Sequence, residues 1–195
     1  MTKADNTRRS ILLTAFDIIY KNGYQVTSID DIIASTKVTK GAFYYHFKSK
    51  DAMGLAVIRE VMQPGMHEVL VKSLENSTDP VNDIYDMMKA VLMNKTFFDA
   101  RFGCPAVNLI DEMAPVNKSF SQALGAIMQK WQDAIRKCID KGKSEHKIRK
   151  DVNAQQVAYF IAAGYGGIRN MGKIYGEASY TTYLKELKQY LKGLQ

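Results

Sequence analysis

A chain of 195 residues with 46% apolar content and a formal net charge of +7 has room for one ordinary domain, or a small module fused to a larger one, at roughly 150 residues per domain. Its apolar fraction supports a packed core and excludes disorder as a description of the whole. The polar start MTKADNTRRS lacks the apolar run of about 7 to 15 residues that marks a signal peptide, and nowhere do about 18 apolar residues run together, so a cytoplasmic protein without a membrane span is expected.

Apolar spacing is helical almost throughout. Ile11, Ala15, Ile18 and Ile19 recur on one face of a first helix, which Gly23 ends where a C-cap favours glycine. A second helix starts at Thr27 or Ser28, either of which caps with Asp30 or Asp31 three residues on, and it stops near Thr36. A third starts at Thr39 with Phe43 and Phe47 one turn apart. A fourth starts at Ser49 and runs to the Gln63-Pro64 step, where a kink or break is expected.

Further helices are predicted over 80–98, 105–112, 117–141, 153–174 and 180–191. The helix over 117–141 has the clearest face, with Phe120, Leu124, Ile127, Trp131, Ile135 and Cys138 on one side. No stretch alternates long enough to require a strand. The fold class is therefore all-α, with about nine helices.

Residues 28–47, SIDDIIASTKVTKGAFYYHF, fit two short helices joined by a tight turn and preceded by a longer one, the layout of a helix-turn-helix unit. The second short helix presents its free N–H groups and positive dipole end beside Lys37 and Lys40, a surface suited to phosphate. Gly41 and Ala42 have almost no side chain, so the helix can approach base edges closely. Tyr44, Tyr45 and His46 supply rings and hydrogen-bonding groups, and Lys48 and Lys50 follow. The plainer alternative is a three-helix fragment with a solvated basic face.

These residues carry a family resemblance. Gly23-Tyr24, Thr27-Ser28-Ile29-x-Asp31-Ile32, and above all Val38-Thr39-Lys40-Gly41-x-Phe43-Tyr44-Tyr45-His46-Phe47-Lys48-Ser49-Lys50-Asp51 are similar to the DNA-binding domain of the TetR/AcrR family of bacterial transcriptional regulators. The resemblance covers about residues 5–65 and departs from the family pattern at Lys37, where a turn glycine is usual. It implies a DNA-binding domain over 5–65 and a ligand-binding and dimerisation domain over 66–195.

By position, the resemblance implies that Thr27 and Ser28 contact phosphate. It further implies that Lys37, Thr39, Lys40, Gly41 and Ala42 face the major groove or its rim, while Tyr44, Tyr45, His46 and Lys50 hold flanking phosphates beside Lys48. Phe43 and Phe47 are core. The partner is a double-stranded, palindromic DNA operator, read by a homodimeric repressor that releases it on binding a small apolar or amphipathic molecule.

Two features of the remaining chain bear on that expectation. Beside Ala162 and Ala163, Gly164, Gly166 and Gly167 weaken a helix by roughly 1 kcal/mol each and call for close approach of another helix. This fits the dimer interface that the resemblance implies on the last two helices, with Gly164, Tyr165, Gly167, Ile168, Met171, Tyr183, Leu184 and Leu187 at it. Ten methionines are many for this length, and Met62, Met66, Met88, Met113 and Met128, with Tyr85 and Trp131, fall where the resemblance implies a pocket, although core packing is the simpler account of each methionine.

Charge is localised. Residues 1–50 hold eight basic against four acidic residues, 51–135 seven against eleven, and 136–150 seven against two. The second basic island reads as a solvated loop or as a further DNA contact. Cys104, before a proline at a helix start, is a candidate redox thiol, and Cys138 is core. Cys104 and Cys138 have no zinc spacing, so neither metal nor cofactor is expected. No GxSxG, P-loop or HExxH motif is present, so no enzyme is expected. The competing reading is a helical ligand carrier or enzyme that keeps the fold without specific DNA binding.

Overall fold

A computed structural model describes residues 2–94 and 98–195, and among these the regular structure is helical. The chain divides into two compact units, one of residues 1–64 with 105–125, the other of residues 65–104 with 126–195. The first break falls beside the expected 65/66 boundary. Residues 105–125 cluster with the first unit.

In the first unit, α1 spans Lys3–Asn22, α2 Ile29–Ala34, α3 Lys40–His46 and α4 Lys50–Val57. Local chemistry sets their starts. Thr2 and Ser28 form capping boxes with Asp5 and Asp31, Thr39 accepts from the Ala42 N–H, and Ser49 accepts from the Ala52 N–H. Gly23 closes α1 at φ +97°, a conformation glycine adopts without strain. Ile11, Leu12, Ala15, Ile19, Ile32, Phe43 and Phe47 bury between these helices.

The expected break at Gln63-Pro64 takes another form. A π-helical turn, Ile58–Met62, continues α4, and Gln63 N–H donates to the Ile58 carbonyl five residues back. The wider turn shifts the hydrogen-bond register just before Pro64, which has no N–H to give, and helix α5 runs on over Gln63–Leu70. Helix α8, Pro105–Met113, and the start of α9, Lys118–Ser144, complete the unit.

The second unit contains α6 (Lys72–Glu75), α7 (Pro80–Met93), most of α9, α10 (Ala154–Tyr175) and α11 (Ala178–Lys192). Asp79 caps α7, with Pro80 in its first turn where a missing N–H costs nothing. The expected helix over 80–98 ends at Met93, and its 95–97 stretch lies outside the described residues. Phe120, Leu124, Ile127, Trp131, Ile135 and Cys138 of α9 are all buried, as their spacing predicts.

Candidate DNA-binding surface

The turn from Ser35 to Thr39 brings α2 and α3 together around the buried Ile32 and Phe43, and this sets which side of α3 faces outward. Ser28, Lys37, Thr39, Lys40, Gly41, Tyr44, Tyr45 and Lys48 are exposed, with Ala42, His46 and Lys50 half-buried. A Cβ added at Gly41 would meet open space. Tyr44 is 45% exposed and Tyr45 79%. Tyr44 packs edge-on against Phe43, and Tyr45 against His46. Lys40 pairs with Asp30 at 3.1 Å across α2 and α3, which raises the lysine's pKa.

Thr27 differs from the other expected contact residues. This residue is buried, and its hydroxyl donates to the Gly23 carbonyl at 2.6 Å, which holds the α1–α2 turn. Lys50 is also engaged internally. Its ammonium donates to the Gln25 carbonyl at 3.1 Å and lies 4.5 Å from the centre of the Tyr24 ring, and burial lowers its pKa.

Sequence reasoning missed what braces this head. Glu112 of α8 accepts from the Tyr24 and Gln25 N–H groups at 2.9 and 3.0 Å. Asp51 accepts from the Tyr24 hydroxyl at 2.6 Å and from the Asn117 side chain at 3.1 Å. Burial and the Asp51 hydrogen bond push the Tyr24 phenol far above its ordinary value, so it stays a neutral donor. A glycine followed by an aromatic at the end of α1 was the sole local signal, because the acceptors lie up to 88 positions away.

In the second unit the basic island proves largely self-occupied. Lys141 donates to the Ser77 carbonyl, Lys147 to the Thr78 carbonyl and Lys143 to the Val152 carbonyl, while Arg136 lies between Asp133 and Asp140. Cys104 is fully buried, a poor position for a sensor thiol, and burial raises the Cys138 thiol pKa. Among the described residues no His/Cys/Asp/Glu cluster could hold a metal, and no helix is long and apolar enough to cross a membrane.

The expected pocket residues divide between the units. Met62 and Met113 are buried in the first; Met66, Met88 and Trp131 are buried in the second, with Tyr85 and Met128 partly covered. A cavity of about 460 Å³ in the second unit is lined instead by other residues, including His67, Leu74, Asp133, Lys137 and Cys138.

The expected interface divides as well. Tyr165, Ile168, Leu184 and Leu187 are buried within the chain and unavailable to a partner. A methyl at Gly164 would collide with the half-buried Tyr183 hydroxyl of the chain's own α11, so that close approach is internal. Gly167 and Met171 remain outward, on a stripe with Phe160, Ala163 and Ile174.

A capped helix with a bare glycine and two exposed tyrosines, the second of a helix-turn-helix in a chain that also holds a helical second unit, defines a DNA-binding transcription regulator. Known proteins agree. Family models match at residues 11–57, for bacterial regulatory proteins of the TetR family, and at 80–187, for the tetracyclin repressor-like C-terminal domain. The chain belongs to the TetR family of transcription regulators.

It is 32% identical over 130 residues to an HTH-type transcriptional regulator in the lacX 3′ region of Lactococcus lactis subsp. lactis, covering 67% of this chain and 66% of that one. It is 28% identical over 161 residues to the HTH-type transcriptional repressor DhaR of Mycobacterium sp. (strain GP1), covering 82% and 79%. A crystal structure of a TetR transcriptional regulator from Chloroflexus aurantiacus J-10-FL superposes with a TM-score of 0.87 at 25% identity, covering 98% and 96%.

Proposed function

We propose that the protein is a ligand-responsive, homodimeric repressor that binds a palindromic operator. The observation that carries the reading is the face of α3, where Gly41 opens onto free space between Lys37, Lys40, Tyr44 and Tyr45. The glycine admits base edges, the lysines and the helix N-terminus attract phosphate, and the tyrosine hydroxyls bond to phosphate oxygens on either side. DhaR, similar over most of its length, is named a repressor.

The outward stripe of α10 supports dimerisation. Phe160, Ala163, Gly167, Met171 and Ile174 follow i, i+3, i+7, i+11 and i+14, a continuous apolar seam whose two small residues let a second helix approach. A two-fold dimer presents two copies of α3 about 34 to 36 Å apart, or at a multiple of that spacing, so the operator is a palindrome. Ligand binding in the second unit releases DNA by favouring a different separation of the heads, and linkage then makes DNA weaken ligand binding equally.

Binding of fluorescent DNA from upstream of the protein's own gene, titrated at several salt concentrations, tests the reading. A sequence preference over random DNA together with a steep salt slope is expected. Equal affinity for both DNAs overturns it.

A further inference from the structure

Arg169 of α10 is fully buried, yet among the described residues no carboxylate pairs with it. One terminal nitrogen donates to the Val91 carbonyl and the other to the Tyr180 hydroxyl at 3.4 Å, while its Nε has no partner. Its charge is spread over rings instead, with the guanidinium carbon 4.8 Å from the centre of Phe98 and 5.3 Å from those of Tyr165 and Tyr180. A cation in such a place lacks the compensation that buried charges ordinarily have.

Two more donors beside it are unmet. Tyr165 is 1% exposed and Trp131 fully buried, their rings 5.2 Å apart and nearly perpendicular; the Trp131 Nε1 has no hydrogen-bond partner, and the Tyr165 hydroxyl lies beside the Cys104 thiol and the Arg169 guanidinium without a bond of normal geometry to either. Buried polar groups are nearly always bonded, so three such atoms in one chain of touching side chains ask for an acceptor from outside the protein. A single buried positive charge matches a monoanion, and the surrounding aromatic rings match an apolar body. A phosphate, at close to two negative charges, would leave an excess in the core.

We propose that Arg169, Tyr165 and Trp131 form the recognition site for a small organic monocarboxylate, the carboxylate taking the Arg169 Nε–H, the Tyr165 O–H and the Trp131 Nε1–H as donors while its apolar part packs on the rings. The proposal rests on the reading of the second unit as a ligand-binding regulatory domain and names the ligand's chemical class. It also relocates recognition, from methionine packing to a polar cluster at Trp131.

Trp131 is the protein's one tryptophan, so tryptophan emission reports on the surroundings of a residue in this cluster. The full-length dimer is titrated, without DNA, with straight-chain monocarboxylates from acetate to octanoate, with the matching primary amides, and with inorganic phosphate. A saturable change in emission is expected for carboxylates of the series, at least tenfold weaker for the amides and absent for phosphate. Tyr165→Phe keeps the ring and the packing but loses the donor, and should weaken carboxylate binding about tenfold. Arg169→Gln should abolish it.

No saturable change anywhere in the series overturns the proposal, as does an equal response to the amides, a response to phosphate alone, or undiminished affinity in Tyr165→Phe, which stands as a test even if Arg169→Gln does not fold. A protein that answers carboxylates but shows no operator preference overturns the repressor reading alone. One that binds its operator but ignores carboxylates overturns this proposal alone.

Discussion

On the proposed DNA-facing surface Lys40 is already paired, its ammonium 3.1 Å from Asp30 with side chains 63% and 75% exposed. Exposed pairs of this kind contribute little to stability, but the carboxylate opposes phosphate directly. Asp30→Asn is therefore expected to raise operator affinity, measured as a lower Kd in anisotropy titrations, with most of the gain lost at high salt as the Debye length shortens. Lys40→Ala should change which bases are preferred, whereas Tyr45→Ala should weaken binding to every sequence by roughly tenfold, the loss of about one charge-assisted phosphate contact. Equal loss on all sequences for Lys40→Ala removes Lys40 from base readout. Lys50 behaves differently from its neighbours, because its ammonium holds the Gln25 carbonyl and stacks on Tyr24. Its removal loosens the head before it loses any phosphate.

At the scale of elements, the starts of α2, α3 and α4 were legible because caps are local: Ser28, Thr39 and Ser49 each bond to a backbone N–H three residues on. Thr39→Ala should cost about 1 kcal/mol in denaturant unfolding and weaken DNA binding further, since it frees the helix end that faces phosphate. Asp31 adds a pH dependence. The Ser28 hydroxyl and N–H hold its carboxyl below the ordinary aspartate value, so the folded state gains stability that is fully present above the unfolded aspartate value and is lost as pH falls through the lowered one. Ser28→Ala should accordingly lower the midpoint of thermal unfolding most near neutral pH and less in strong acid, where only the cap hydrogen bond to the Asp31 N–H is lost. What no local pattern could reveal is the partner at long range. Glu112 reaches Tyr24 across 88 positions and Asn117 reaches Asp51 across 66, and each needs the tertiary arrangement of α8 and α9 to have meaning. The π turn at Ile58–Met62 was hidden for a related reason, since Pro64 announces a disturbed hydrogen-bond ladder but not how the backbone absorbs it.

For the whole molecule, the run of small residues in α10 was read from the sequence as a single interface, and the fold divides it by angular position. Gly164 lies against Tyr183 of the same chain, whereas Gly167, three residues on, meets nothing within 4 Å. Helix periodicity alone does not say which side of a small-residue cluster the chain itself covers, and that is decided where α11 returns along α10. The division yields opposite outcomes for two similar substitutions. Gly164→Ala should destabilise the chain, because the added methyl must displace the Tyr183 ring. Gly167→Ala has space and gains roughly 0.5 to 1 kcal/mol of helix propensity, so the isolated fold should be no less stable. Gly167→Glu or Met171→Glu instead places a charge in the middle of the apolar stripe, where a partner helix would have to bury it unpaired. Sedimentation velocity is expected to show a dimer for the parent protein and a folded monomer for either variant, with affinity for a full palindrome falling towards that for a half-site. A parent protein that sediments as a monomer at micromolar concentration, or glutamate variants that remain dimeric, would place the interface elsewhere and leave the exposed Phe160, Met171 and Ile174 unexplained.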